Sequence, residues 1–381
     1  MDDNRSLSAG PNWKQVVTYL AITFGLTYLL NLILYLNVGS FTEITSDLAA
    51  PLQVLLQLQM LIPATVAIVL QLFIFRTSPI FRERSPLRWF LYAYLAYAGI
   101  FVLLAVGLFF IHSQIYLTAI SLITLGLSVA ILALIILLRL IAGRESLARA
   151  GLHGGPIRYY FTFGLGLILV YLAMTGLNAL FGLGQAANFM DLLGAAGEAP
   201  GLDQVPPSLL FALIAFQTVI LGPILGLTLG FGEEYGWRGF LQTELIKLGR
   251  VRGLLLLGVI WGLWHAPIIV MGYNYPGYPV LGPVVMTLYT IVLAFFFGYA
   301  VLKSGSVWLA AFLHALNNQV VAFLMLAVYT PADPILSFGI GIYGVLVWAV
   351  VIVALMILDR DTWTGAAATA PAALPSEEEI L

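Results

Sequence analysis

The 381-residue sequence predicts an all-α fold: a polytopic transmembrane helix bundle of about ten spans with both termini on the cytoplasmic side. Three observations predict it. Hydrophobic residues make up 61% of the chain and charged residues 9%, with a mean hydropathy of +1.00, far from the composition of a soluble domain. Apolar stretches long enough to cross a bilayer core of roughly 30 Å recur along the chain. All 16 Lys and Arg residues fall on one side when the chain is threaded back and forth. The net charge of −2 says little beside that distribution, and no basic surface for nucleic acid is evident. With no cysteine, disulfides, thiolate metal sites and thiol nucleophiles are excluded.

The first span lies near 16–37, after Arg5 and Lys14; no small-residue cleavage site follows it, so it is expected to stay as a helix. The second, 53–75, is followed by Arg76, Arg82, Arg84 and Arg88. The third and fourth, 89–111 and 115–138, are separated by His112, Ser113 and Gln114, a gap that predicts a tight outer hairpin; Arg139, Arg144, Arg149 and Arg158 come next. The fifth is 159–183. The loop 184–206 is rich in Gly and Pro and has room for a short interfacial helix around Phe189 to Leu193. The sixth span, 208–232, precedes Arg238, Lys247, Arg250 and Arg252. Spans follow at 253–272, 281–302, 306–328 and 335–358, with Lys303 after the eighth and Arg360 after the tenth. The opposite loops carry the acids Glu43, Asp47, Asp191, Glu198, Asp203 and Asp333. An odd miscount would scramble this segregation, so the basic side is assigned to the cytoplasm of a multi-pass protein in the cell membrane. The chain divides into N-terminal helices and a long outer loop (1–206), a chemical core (207–328), a last span (329–360) and a disordered, acidic tail (361–381).

An ionisable residue in a membrane span is costly and is a functional candidate by default. Those of the chemical core are Glu233, Glu234 and Arg238 in "FGEEYGWRGF", His265 in "WGLWHAPI" and His314 in "FLHALNNQ". Glu234 and Arg238 stand at i and i+4, the favourable order for an acid and a base, which leaves Glu233 free for another task. His314 and Asn318 also share a helix face, Trp261 lies one turn below His265, and Pro267 is expected to loosen the helix there. Asn317 lies off that face and is read as structural. A desolvated carboxylate, two imidazoles and an amide converging in low dielectric suit hydrolysis through an activated water. For any one of these histidines or asparagines taken alone, helix–helix bonding is the favoured reading, and the Glu-Glu…Arg segment alone reads equally as a salt-bridged cytoplasmic turn; it is the set together that points to chemistry.

The set resembles the CAAX prenyl endopeptidase-like (CPBP or ABI) family of intramembrane glutamic endopeptidases. Glu233-Glu234-Tyr235-Gly236-Trp237-Arg238, Trp261-Gly262-Leu263-Trp264-His265 and His314-Ala315-Leu316-Asn317-Asn318 follow its Glu-Glu-x-x-x-Arg, aromatic-x-x-x-His and His-x-x-x-Asn motifs in order and spacing, with Trp261 where Phe is common. The resemblance covers about residues 207–328. It implies that Glu233 and His265 activate the water, that His314 and Asn318 form the oxyanion site, and that Glu234, Arg238 and Trp261 support them. It implies no cofactor or metal, and as partners the lipid bilayer and a peptide or lipidated protein substrate, CAAX-type peptides being the candidate, cut near the cytoplasmic side. Two alternatives stay open. One is a zinc-dependent membrane hydrolase with Glu233, His265 and His314 as ligands; the other is a non-catalytic immunity factor, scaffold or transporter.

One tension accompanies this reading. Span seven starts from the cytoplasm after Arg252, which places His265 roughly 18 Å deep at 1.5 Å per residue, whereas span six places Glu233 near its inner end. For the two to meet, Glu233 must lie deeper, with "WRGFLQTELIKLGR" continuing the helix as an amphipathic extension.

Overall fold

The computed structural model describes residues 10–41, 46–76, 85–189, 205–337 and 339–365. Apart from Phe189 itself, the expected helix around Phe189 to Leu193, most of the acidic outer-loop residues and the tail beyond 365 lie outside the described residues.

Among the described residues nine helices are long and apolar enough to cross a membrane, and a shorter apolar helix, Ile342–Leu358, follows. The chain opens with α1 (Trp13–Val38), whose N-terminus is capped by Asn12 through its side-chain oxygen and the Gln15 N–H. Next come α2 (Ser46–Val69), α3 (Arg88–Gly107), α4 (Gln114–Arg149) and α5 (Ile157–Leu180). Ser113 caps α4 by accepting from the Tyr116 N–H; the connection runs over residues 108–113, longer than the expected gap at His112 to Gln114, because α3 already ends at Gly107 and turns follow it. Helix α4 runs past the expected span and bends at Gly143, where φ is 74°, a value glycine adopts without cost. The tenth span is shorter than expected, because its first residues form turns.

The largest departure concerns the sixth span. A helical run extends from α6 (Pro207–Phe216) through single turns and α7 (Leu227–Glu234) to a wide π-turn at Tyr235–Leu241, and it ends only at Leu248. The segment after Glu233 is therefore helical, as the depth argument required. Its first part is not an amphipathic surface segment, since Tyr235, Trp237, Arg238, Phe240 and Leu241 are buried; only beyond Leu241 do Thr243 and Lys247 reach the surface while Leu245 stays buried. Arg238, counted among the cytoplasmic basic residues from sequence, is an interior side chain. From Glu233 to Leu248, and from His265 back to the start of α8 (Arg250–Val270), are equal numbers of residues, about 20 Å of helix each, so the two residues reach the same depth.

Helix α7 lies between α2 and α10 (Val307–Phe323). Glycines make this possible. A Cβ on Gly230 would stand 2.4 Å from the Ala311 carbonyl oxygen, one on Gly232 2.6 Å from that of Met60, and one on Gly236 2.5 Å from the Tyr19 hydroxyl. Helix α9 (Leu281–Ser304) packs along α8 and closes the other flank. Pro267 cannot donate to the Leu263 carbonyl, and the Tyr28 hydroxyl of α1 takes that place at 2.8 Å.

The bundle has two chemically distinct ends. At one, Glu244 accepts from Lys247 and from the Asn12 N–H, Lys303 pairs with Asp359, and Arg250 bonds the Thr362 carbonyl of α12 (Arg360–Thr364), just beyond α11 (Ile342–Leu358). At the other, β1 (Gly184–Ala186) pairs antiparallel with β2 (Tyr329–Pro331), the Phe41 N–H bonds the Met271 carbonyl, and the Tyr275 hydroxyl bonds the Ile340 carbonyl. Between the ends, Leu36, Leu103, Leu140 and Val350 project outward, as bilayer-facing side chains do.

Candidate active site

The C-terminus of α7 carries Glu233 and Glu234, which with Arg238 are only 2%, 0% and 1% exposed. Three buried charges so close survive only if they compensate one another. Arg238 donates from Nη1 to Oε1 of Glu234 at 2.8 Å, as the i and i+4 spacing implied, and its guanidinium sits 4.3 Å from the Trp261 ring centroid and 5.3 Å from that of Phe297.

Glu233 is thereby left to other partners. Its Oε2 accepts from the indole N–H of Trp261 at 2.9 Å and from that of Trp237 at 3.3 Å. Its Oε1 faces Nε2 of His314 at 3.8 Å, beyond direct hydrogen-bond distance. Trp237 has the spacing of a one-turn partner and was overlooked from sequence, where one more tryptophan near an oily helix end reads as packing. The wide π-turn begins immediately after Glu234, and such turns recur at functional sites.

His314, on α10, is placed by Gly230, which lets α7 and α10 approach. Its Nδ1 lies 2.8 Å from Oε1 of Glu234, so Nδ1 carries the proton that this carboxylate accepts, and Nε2 is turned towards Glu233. Arg238, Glu234 and His314 thus form one chain of charge-assisted bonds ending beside Glu233.

His265 is half-buried on α8, with Nδ1 2.8 Å from the Trp261 carbonyl, which fixes the ring and leaves Nε2 outward. Its ring centroid is 5.9 Å from that of Trp261 and 4.7 Å from that of Trp264. Asn318 is exposed on the next turn of α10 and accepts from the Asn317 amide at 3.3 Å. Asn317 itself is buried and bonded by Tyr171 and Tyr289, in keeping with a structural role.

Glu233, Trp261, His265, His314 and Asn318 all line one cavity of about 520 Å³. Glu234 and Arg238 stand behind its wall. Among the described residues no group of three His, Asp or Glu side chains converges closely enough to hold a metal ion, so the zinc arrangement of Glu233, His265 and His314 does not fit the geometry. What the arrangement offers is a carboxylate with one oxygen fixed and the other directed at an imidazole, next to a space large enough for a peptide segment.

Residues 207–320 match the family described as type II CAAX prenyl endopeptidase Rce1-like. The match starts at the first residue of α6 and ends just past Asn318, so it contains all seven residues singled out from the sequence. Neither a curated protein nor a solved structure matches the chain.

Proposed function

We propose that this chain, whose residues 207–320 form an Rce1-like domain of the CAAX-type intramembrane proteases, hydrolyses a peptide bond with a water molecule activated by Glu233. One observation carries the reading: the buried Glu233 carboxylate has Oε2 tied to two indole N–H groups and Oε1 directed at His314 on the wall of the cavity. Tying one oxygen fixes the direction of the other and desolvates it, which suits a general base.

In this mechanism Oε1 takes a proton from water as its oxygen attacks the scissile carbonyl carbon. The tetrahedral oxyanion is met by the Asn318 amide and by Nε2 of His314 carrying a proton, the imidazole being held through Nδ1 by Glu234. The C–N bond then breaks, and the proton taken from water passes to the leaving amine, with the outward Nε2 of His265 placed to relay it. Arg238 holds the Glu234 carboxylate in place through its 2.8 Å bond, and acts through His314 rather than on substrate. The basic end of the bundle faces the cytoplasm in this reading, which puts both termini there.

The test is cleavage by the purified protein of a farnesylated CAAX peptide and of a library of lipidated and unlipidated peptides, beside Glu233→Gln and His314→Ala. General-base catalysis contributes about 10²- to 10⁴-fold, so Glu233→Gln is expected to lose at least a hundredfold while its melting temperature stays close to wild type. A folded Glu233→Gln enzyme that cleaves at the wild-type rate would overturn the assignment.

A further inference from the structure

The cavity has a direction. Its lining from α2 comes from Gln53 to Met60, the middle of that helix; from α8 it comes from Trp261 to Ile268, from α9 Met286 to Leu293, and from α10 His314 outward. The remaining wall is Tyr273, Asn274 and Ile340, in the connections at the strand-bearing end. The lining reaches the end away from Lys247, Arg250, Lys303 and Arg360 at Tyr273, Asn274 and Ile340, whereas Trp261 stands one turn nearer the basic end than His265 and closes the cavity floor. In the other direction the site is closed. Trp237, Arg238, Phe240 and Leu241 are buried below Glu233, and Tyr19 packs on Trp237 and Phe240 with ring centroids 6.0 and 4.8 Å apart.

The rim has a chemistry as well. Gln53, Gln57, Asn274 and Gln319 ring the cavity beside the catalytic groups and continue the amide of Asn318, with Gln53 and Asn318 exposed. No Lys or Arg is among the lining residues. Primary amides supply donors and acceptors that complement peptide N–H and C=O groups, whereas a C-terminal carboxylate brought out of water would find no Lys or Arg in this wall, and the two imidazoles are engaged at the reacting centre.

We propose that the substrate enters from the membrane face opposite the basic residues, the non-cytoplasmic face, and is bound as an uncharged internal peptide segment rather than as a free C-terminal tail. The proposal rests on the peptidase reading above for what is done to the segment, and on the positive-inside rule for which face is which. It departs from the cytoplasmic-side cleavage expected from the sequence. A peptide anchored in, or translocated to, the outer leaflet would present its backbone to the amide rim first and reach Glu233 at the cavity floor.

The chain has no cysteine, so single-cysteine variants report their own side without a background. Gln53→Cys, at the rim, and Arg252→Cys, exposed at the basic end, are treated in intact cells with a membrane-impermeant maleimide. The expected result is labelling of Gln53→Cys from outside and of Arg252→Cys only after permeabilisation; the reverse pattern overturns the entry face. In a second arm the purified wild type is given one peptide with its scissile bond internal, as the free acid and as the C-terminal amide. Rates within about twofold are expected, and a more than tenfold loss on amidation would overturn the neutral-segment claim. The labelling needs no activity, so it decides the entry face even if no peptide is cleaved, an outcome that would sink the peptidase reading and the substrate claim with it.

Discussion

Arg238→Met is the perturbation whose outcome the structure fixes most tightly. Wild-type Arg238 and Glu234 have wholly buried side chains 2.8 Å apart, so truncating the arginine leaves an ionised carboxylate in low dielectric with only His314 to answer it. Removing one partner of a buried pair costs about 3–5 kcal/mol. Glu234→Gln strands the guanidinium and costs a similar amount. The double variant should recover most of this, because neither charge then remains. Arg238 Nε and Nη2 find no protein acceptor in the wild type, so its net advantage over a well-packed apolar side chain is small. The part not recovered is the guanidinium over the Trp261 and Phe297 rings, about 0.5–2 kcal/mol. The assay is a double-mutant cycle on equilibrium unfolding in detergent micelles, with tryptophan fluorescence as signal. A coupling energy of about 3 kcal/mol is expected. Single variants within about 0.5 kcal/mol of wild type, or strictly additive losses, would refute the claim that the pair is a buried, mutually dependent support for His314.

Other outcomes follow from the same geometry. Gly232→Val should force α7 off the Met60 carbonyl and destabilise the protein by about 1–3 kcal/mol or more, while Gly25→Ala, with nothing within 4 Å of its Cβ, should leave the melting temperature unchanged. At the basic end, partial burial pushes the Asp359 carboxyl up, but hydrogen bonds from Lys303, Thr362 and Tyr299 prevail and hold it well below the usual carboxylate range. A depressed folded pKa contributes stability that is present above the unfolded value near 3.9 and is lost as pH falls through the folded one. Asp359→Asn should therefore melt below wild type at neutral pH, with the gap closing as the pH is taken below about 4; a gap that stays constant would show that the carboxylate is not the cause.

The reach of the sequence can be traced through particular residues. Glu233, Glu234, His265 and His314 stood out because charge is scarce in an apolar chain, and their spacing on helices was enough to pair Glu234 with Arg238. Helix rise alone required Glu233 to lie deeper than the edge of its apolar run, and the helix continues to Leu248 as that demanded. The same reasoning went wrong for Arg238. A cation after an apolar stretch looks like a surface residue to a charge count, yet its partner at i−4 was the signal that it could be buried. Trp237 escaped notice because the chain has 8 Trp, 18 Tyr and 23 Phe, and nothing in a residue type marks which indole turns its N–H to a carboxylate. The amide rim was equally hidden. Gln53, Asn274 and Asn318 are far apart in sequence, and only the packing of α2 and α10 on either side of α7 brings them to one opening.

The central claim, that Glu233 activates water instead of attacking the peptide itself, is tested most directly by a single turnover in H₂¹⁸O with enzyme in excess. The account predicts one ¹⁸O atom in the newly formed carboxyl group of the product peptide and none in the protein. Label recovered on the side-chain carboxylate of Glu233 would reveal a covalent acyl intermediate and contradict it.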